Sequence, residues 1–256
     1  MIPVIPWYIT LIVLATSLTI AVAVWRIFAA GAARSGPSAT QRKVRTGVAL
    51  FLGAWLGAVL LLAPAPGSLL ARDRFYVSPL IPLFAVAGLG GAFLALRLSP
   101  ALRRTLDAAS LPAMIGVQLY RTIGIVFLVL LTQRQLPAHF ALPAGWGDIA
   151  IGAAAPLVAL ALARGVRGDV PLAVSWNVLG LLDLVVAVGM ATGYLAPLLA
   201  PGLGPRVPPA AAMGVFPLIL VPTFAAPVAV LLHLLALARL RHDARLRSGL
   251  VAQPAR

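Results

Sequence analysis

The fold class is decided by the stretch Leu111–Thr132, which reads LPAMIGVQLYRTIGIVFLVLLT and contains a single charged residue, Arg121. As an α-helix, this stretch would be about 33 Å long, which is enough to cross the roughly 30 Å hydrocarbon core of a bilayer. A run of this length and apolarity is typical of a transmembrane helix. We therefore expect Leu111–Thr132 to span a membrane.

The same pattern recurs along the whole chain. Working outward from Leu111–Thr132, we predict six further spans, Val4–Trp25, Gly47–Pro64, Tyr76–Leu96, Ala141–Ala163, Pro171–Tyr194 and Ala212–Ala238. The segments between them are too short to form a soluble domain, so residues 1–256 are expected to form a single polytopic domain. The predicted fold class is an all-α membrane protein, a bundle of seven transmembrane helices.

Composition excludes a soluble globular domain and several kinds of site. Of the 256 residues, 61% are hydrophobic and 10% are charged, against roughly 45–50% and about 25% in soluble proteins. The chain has no cysteine, which excludes disulfides, thiolate metal sites and cysteine nucleophiles. The histidines, among them His139 and His233, form no cluster in the sequence, so we predict neither a metal site nor a cofactor.

The positive net charge of +14 indicates the topology. Lys and Arg concentrate in the cytoplasmic loops of membrane proteins, and here alternate loops carry 15 and 4 basic residues. We therefore predict an outside N-terminus, a cytoplasmic C-terminus with a short basic tail at 239–256, and location in the plasma membrane. Because the arginines lie in short loops between apolar runs, they indicate topology and not a nucleic-acid surface.

Three ionisable residues fall inside predicted spans. A charge at mid-membrane costs about 2.5–3.5 kcal/mol on insertion scales, so each of them needs a partner or a function. Arg121 and Asp183 each lie about 11 residues from the outer end of a span, hence at one depth, and Asp148 lies only about 6 Å from that depth. Asp148 shares a helix face with Ala144 and Gly152, whose small side chains favour close approach of a neighbouring helix. We expect a polar seam among the fourth, fifth and sixth helices.

This seam is the predicted ligand or proton site. One arginine and two aspartates carry a net charge of −1 when both acids are ionised, so the balance lacks one proton or one cation. Asp148, which is shallower and less obviously paired than Asp183, is the predicted proton carrier. Gln118, Asn177 and Trp146, from the same three spans, complete the predicted site.

The last predicted span contains three prolines at intervals of five residues. Pro217, Pro222 and Pro227 each remove a backbone donor, so the helix is expected to kink and to leave carbonyl groups free. Free carbonyls are tolerated where they line a cavity or find other donors. We predict that these prolines and Thr223 are cavity-lining kinks, and the alternative is a kinked helix that only fits its bundle.

Three functions are compatible with these features. The favoured one is binding or transport of a small solute with proton participation by Asp148 or Asp183. The second is an intramembrane enzyme that uses the paired aspartates on a lipid or lipid-linked substrate. The third is a non-catalytic membrane assembly subunit, in which Arg121 and Asp183 hold helices together. No nucleotide motif or metal site favours an enzyme, so we assign no catalytic residue, and the expected partners are the lipid bilayer and a small-molecule or proton ligand.

Overall fold

All the regular secondary structure in the described part of the chain is helical. The computed structural model describes residues 5–65, 78–199, 202 and 210–251, and no strand occurs among them. In chain order the α-helices are α1 (Trp7–Ser35), α2 (Ser38–Leu62), α3 (Leu80–Leu98), α4 (Pro100–Ala108), α5 (Leu111–Gly116), α6 (Ile125–Thr132), α7 (Ala138–Arg164), α8 (Asp169–Ala191), α9 (Ala196–Leu199) and α10 (Ala226–Val251). A 3-10 segment (Val117–Gly124) joins α5 to α6, and a π turn (Val221–Ala225) precedes α10.

Seven helical stretches of the described chain are long and apolar enough to cross a membrane, which confirms the predicted number. They are Trp7–Ser35, Ser38–Leu62, Leu80–Leu98, Leu111–Thr132, Ala138–Arg164, Asp169–Ala191 and Val221–Arg245. The fourth has the bounds that the sequence predicts. The predicted starts of the first span at Val4 and of the third at Tyr76 lie outside the described residues.

The first two helices extend beyond the predicted spans. α1 continues past Trp25 to Ser35, and α2 begins at Ser38, well before Gly47. An apolar run marks the part of a helix that fits the hydrocarbon core, whereas backbone hydrogen bonding continues through the polar residues that follow. Only Gly36 and Pro37 therefore separate the two helices.

The predicted start of the last span at Ala212 is wrong. Ala211–Gly214 forms a short 3-10 turn, the next five residues lie in bends and turns, and the spanning helix begins at Val221. Pro217 and Pro222 explain the late start, because neither can donate a backbone hydrogen bond to the preceding turn. Hydropathy alone does not detect this break, since the whole stretch is apolar.

The helix that begins at Val221 is the central one. Of its most apolar stretch, 61% is buried, against 17% for α3 and for α7. α10 packs against α8, and the π turn packs against α3. Large apolar side chains on other helices point away from this core, such as Leu61, which is 86% exposed, and Leu157, which is 69% exposed. Large apolar side chains exposed on the outside are expected of a bundle that faces lipid.

Candidate functional site

Arg121 is the centre of a buried polar cluster. Its side chain is 2% exposed, its Nε donates to Asp148 Oδ1 at 2.8 Å, and its Nη2 donates to Asp183 Oδ2. Its Nη1 donates to the carbonyl oxygen of Gly180 at 3.3 Å and lies 3.1 Å from His233 Nε2. The guanidinium of Arg121 thus joins the 3-10 segment to α7, α8 and α10.

His233 continues the cluster back to α8. Because Arg121 Nη1 can only donate, the Nε2 atom of His233 accepts. The other ring nitrogen, Nδ1, lies 2.9 Å from Asn177 Oδ1, while Asn177 donates through Nδ2 to the Ala173 carbonyl at 2.7 Å. These partners make His233 a neutral imidazole with its hydrogen on Nδ1, a tautomer that Asn177 selects.

Glycines let the helices approach closely enough to form the cluster. A Cβ atom on Gly152 of α7 would lie 2.6 Å from the backbone nitrogen of Thr122, so the two backbones are in direct contact. A Cβ atom on Gly180 of α8 would overlap the ring of His233. Small residues at helix interfaces of membrane proteins commonly have this role.

Arg121 lies on a tighter helix than the sequence predicts. The sequence predicts one continuous span, whereas Val117–Gly124 is a 3-10 segment inserted between two short α-helices. α7 packs against this segment, and a Cβ atom on Gly124 would lie 2.7 Å from the carbonyl oxygen of Gly145. Runs of 3-10 helix this long are uncommon and often mark a functional position within a helix.

The structure brings some of the predicted site residues together. Both aspartates contact Arg121, and Asn177 reaches it through His233. Gln118 is fully buried, and neither polar atom of its side chain has a hydrogen-bond partner among the described residues. Trp146 is 60% exposed, and its indole N–H makes no hydrogen bond within the described part of the chain. Within the residues that the structure describes, no group of three or more His, Asp or Glu is placed to hold a metal ion.

Asp148 is as well paired as Asp183, contrary to the sequence prediction that it is the less paired acid. Arg121 binds both carboxylates, because the N–H groups of a guanidinium point along several edges of one plane. Each carboxylate side chain is 14% exposed. With both acids ionised and His233 neutral, the cluster carries a net charge of −1.

Side chains of neighbouring helices bind the carbonyl groups near the prolines. In an α-helix the amide of residue 227 would donate to the Thr223 carbonyl, but Pro227 has no N–H. Trp55 Nε1 donates to that oxygen instead, at 2.9 Å, and the Tyr120 hydroxyl donates to the Ala225 carbonyl, also at 2.9 Å. The Thr223 carbonyl that Pro227 leaves free is therefore satisfied within the bundle, as apolar surroundings require.

His233 is a member of the cluster that the sequence pattern did not indicate. A span that starts at Ala212 puts His233 near its inner end, whereas a helix that starts at Val221 puts it about 12 residues in, near mid-depth. Pro217 and Pro222 were the available signal, since they mark the late start of this helix.

The helices and the cluster together define a class, an all-helical bundle with seven helices long and apolar enough to span a membrane and an arginine–aspartate cluster inside it. A family model described as "Domain of unknown function (DUF8737)" matches residues 78–241, nearly two thirds of the chain. The chain belongs to this family. The matched region contains every residue of the cluster, whereas α1 and α2 lie outside it. No curated protein and no solved structure matches the chain.

Proposed function

We propose that this chain is a plasma-membrane protein, with its N-terminus outside and its C-terminus cytoplasmic, that binds or transports a small solute together with a proton at the Arg121 cluster. The observation that carries the proposal is the charge of the cluster. One guanidinium binds two carboxylates, which leaves a net charge of −1 when both are ionised. In apolar surroundings such a charge is costly, so a proton or a cationic group of the solute completes the balance.

The partial exposure of the two carboxylates supports a binding site and not only a structural contact. Both carboxylates of the cluster are partly exposed, whereas Arg121 is not. Gln118, one 3-10 turn before Arg121, is buried with its amide unpartnered among the described residues. Burying such a group without a hydrogen bond costs about 1–3 kcal/mol, and a bound solute with a polar group would offset that cost.

Replacing Asp183 with asparagine is expected to abolish retention of the solute. The asparagine side chain would keep the shape of the aspartate but could not carry the charge or take up a proton. Native mass spectrometry of the full chain, purified in mild detergent, should show a specific small-molecule mass on the wild type and at least tenfold less of it on Asp183→Asn. Asp107→Asn makes the same chemical change at an exposed residue of α4 and is the control. Equal retention by the wild type and Asp183→Asn would remove the proposed site.

Replacing Gln118 with methionine separates binding from folding. Methionine has a similar length and no amide, so Gln118→Met removes two unpartnered buried atoms and should leave the free energy of unfolding unchanged or raise it by about 1 kcal/mol. Retention of the solute should nevertheless fall. Leu119→Met, on the exposed side of the same 3-10 segment, is the control for the substituted side chain. A loss of stability without any change in the bound mass would contradict a binding role for Gln118.

One observation favours the assembly-subunit role as a second candidate. Arg121 connects three helices to its own through four hydrogen bonds. If the cluster only holds the helices together, Asp183→Asn alters stability, and no small molecule is found on the wild type. The same mass-spectrometry samples therefore distinguish the two functions.

A further inference from the structure

A second candidate site lies at the end of the bundle where α1 meets α2 and α3 meets α4. A cavity of about 650 Å³ opens there, within the range of about 300–1,000 Å³ that ligand pockets occupy. Its wall is mostly apolar and includes Phe28, Phe51, Leu231 and Leu235. None of the residues of the Arg121 cluster lines it, and neither do the prolines of the last span or Thr223.

α10 separates this cavity from the Arg121 cluster. Leu231 and Leu235 each lie two residues from His233, which corresponds to about 200° around an α-helix. The two leucines line the cavity while His233 contacts Arg121, so opposite faces of one helix serve the two sites. The cavity can therefore be filled or altered without touching the buried ion pairs.

The edge of the cavity is basic. Lys43 of α2 and Arg104 of α4 line it, and both side chains are exposed. Neither forms an ion pair or a side-chain hydrogen bond with any residue that the structure describes. The neighbouring Arg103 differs, because its Nη1 donates to the carbonyl oxygens of Leu96 and Arg97. Two unneutralised cations beside an apolar pocket are complementary to an anion that carries an apolar chain.

α4 is held in a fixed place on the bundle, which fixes the backbone that carries Arg104. The Ser99 hydroxyl accepts from the Leu102 amide at 3.1 Å and caps the helix. The hydroxyl groups of Thr105 and Ser35 lie 3.2 Å apart, and Arg239 of α10 donates to the Leu106 carbonyl at 3.0 Å. The basic edge and the apolar wall are thus presented by one rigid arrangement.

We propose that this cavity binds an anionic phospholipid, with its phosphate at Lys43 and Arg104 and one acyl chain along Phe28, Phe51 and Leu231. The proposal is independent of the function of the Arg121 cluster. Lys43 lies on α2, outside the region that the family model matches, and Arg104 lies inside it. The lipid would therefore connect the first two helices to the rest of the bundle.

The charge of the site is tested with phosphatidylglycerol and phosphatidylcholine of identical acyl chains, titrated onto the full chain and counted by native mass spectrometry. The wild type should prefer phosphatidylglycerol. Lys43→Gln with Arg104→Gln should weaken phosphatidylglycerol binding about 30-fold, since each basic residue near a lipid phosphate contributes about five- to six-fold, and should abolish the preference. Arg42→Gln with Arg97→Gln removes the same charge from exposed residues that do not line the cavity, and should leave binding unchanged.

The acyl chain is tested by filling the cavity. Gly47 lines the cavity, and a Cβ atom added to it meets nothing within 4 Å, so Gly47→Leu places a side chain in the open space without disturbing α2. We expect Gly47→Leu to weaken binding of both lipids at least tenfold. Gly53→Leu is the matched control, because Gly53 is also on α2 with nothing within 4 Å of its added Cβ but does not line the cavity.

Each other outcome overturns the proposal. No preference for phosphatidylglycerol in the wild type would mean that the basic edge does not recognise an anionic headgroup. Equal losses in the two charge variants would mean that the lipid responds only to the overall charge. Full binding by Gly47→Leu would mean that no chain enters the cavity. Displacement of phosphatidylglycerol by millimolar inorganic phosphate would assign the basic edge to a free anion. Folding of each variant is checked by circular dichroism and gel filtration. If a charge variant fails to fold, Gly47→Leu still tests the site, because it retains every charge.

Discussion

Replacing Arg121 with methionine is expected to lower the free energy of unfolding by about 3–5 kcal/mol, the usual effect of removing one partner of a buried ion pair. Asp148 and Asp183 would lose their shared partner, and the Gly180 carbonyl and His233 Nε2 would lose a donor. Unfolding by sodium dodecyl sulfate in mixed micelles, followed by circular dichroism, measures this difference. Arg241→Met changes an exposed arginine in the same way and should alter stability by less than about 0.5 kcal/mol.

Removing the aspartate charges as well should restore most of that stability. In Arg121→Met with Asp148→Asn and Asp183→Asn, no charge of the trio remains, and a buried polar set replaced as a whole is often neutral in stability. Restoration would show that the cost of the single variant is that of two uncompensated carboxylates. If the single variant costs less than about 1 kcal/mol, the ion pairs do not hold these helices together.

Replacing Gly152 with alanine is expected to cost about 3 kcal/mol, at the upper end of what an added methyl group costs in a packed core. The new Cβ atom would lie 2.6 Å from the Thr122 nitrogen and 3.0 Å from the Arg121 carbonyl carbon. Both neighbours are backbone atoms, so no side-chain rotation can relieve the contact, and α7 must move away from the 3-10 segment. Retention of the solute should fall with stability, because Asp148 is carried by α7.

Gly90→Ala is the matched control for the Gly152 variant. Gly90 lies in α3 with nothing within 4 Å of an added Cβ, so alanine should raise the stability of the helix by about 0.5–1 kcal/mol. Both variants are compared in the same mixed-micelle unfolding experiment. Opposite signs are expected for the two substitutions, and a gain at Gly152 would show that the helices are not in backbone contact there.

The number and approximate places of the seven long apolar helices could be predicted from the sequence. Hydropathy reports which part of a chain avoids water, and the bounds of the Arg121 span agree with the structure for that reason. Arg121 and Asp183 could also be predicted to lie close together, because each is about the same number of residues from the outer end of its span. Helix ends beyond the apolar runs, as at Ser35 and Ser38, depend on backbone hydrogen bonds through polar residues, which hydropathy does not report.

The remaining features depend on contacts between helices. The place of His233 beside Arg121 follows from the late start of the last helix and from the space at Gly180. The 3-10 segment follows from the close approach of α7, and nothing in its own eight residues distinguishes it from an α-helix. The cavity beside Lys43 is lined by three separate parts of the sequence, α1 with α2, α3 with α4, and α10, so no local pattern predicts it.

The helix type of Val117–Gly124 sets both the length of the span and the rotation of one end of the span relative to the other. Eight residues rise about 2.0 Å each in a 3-10 helix and about 1.5 Å each in an α-helix, so rewinding this segment as α would shorten the span by about 4 Å. It would also turn one end of the span against the other by about 160°, since the two helices advance by about 120° and about 100° per residue. A change of helix type in this segment would therefore shift and rotate one end of the span together. The helix type adopted between Gly116 and Gly124 thus sets both the depth and the direction of the Arg121 side chain.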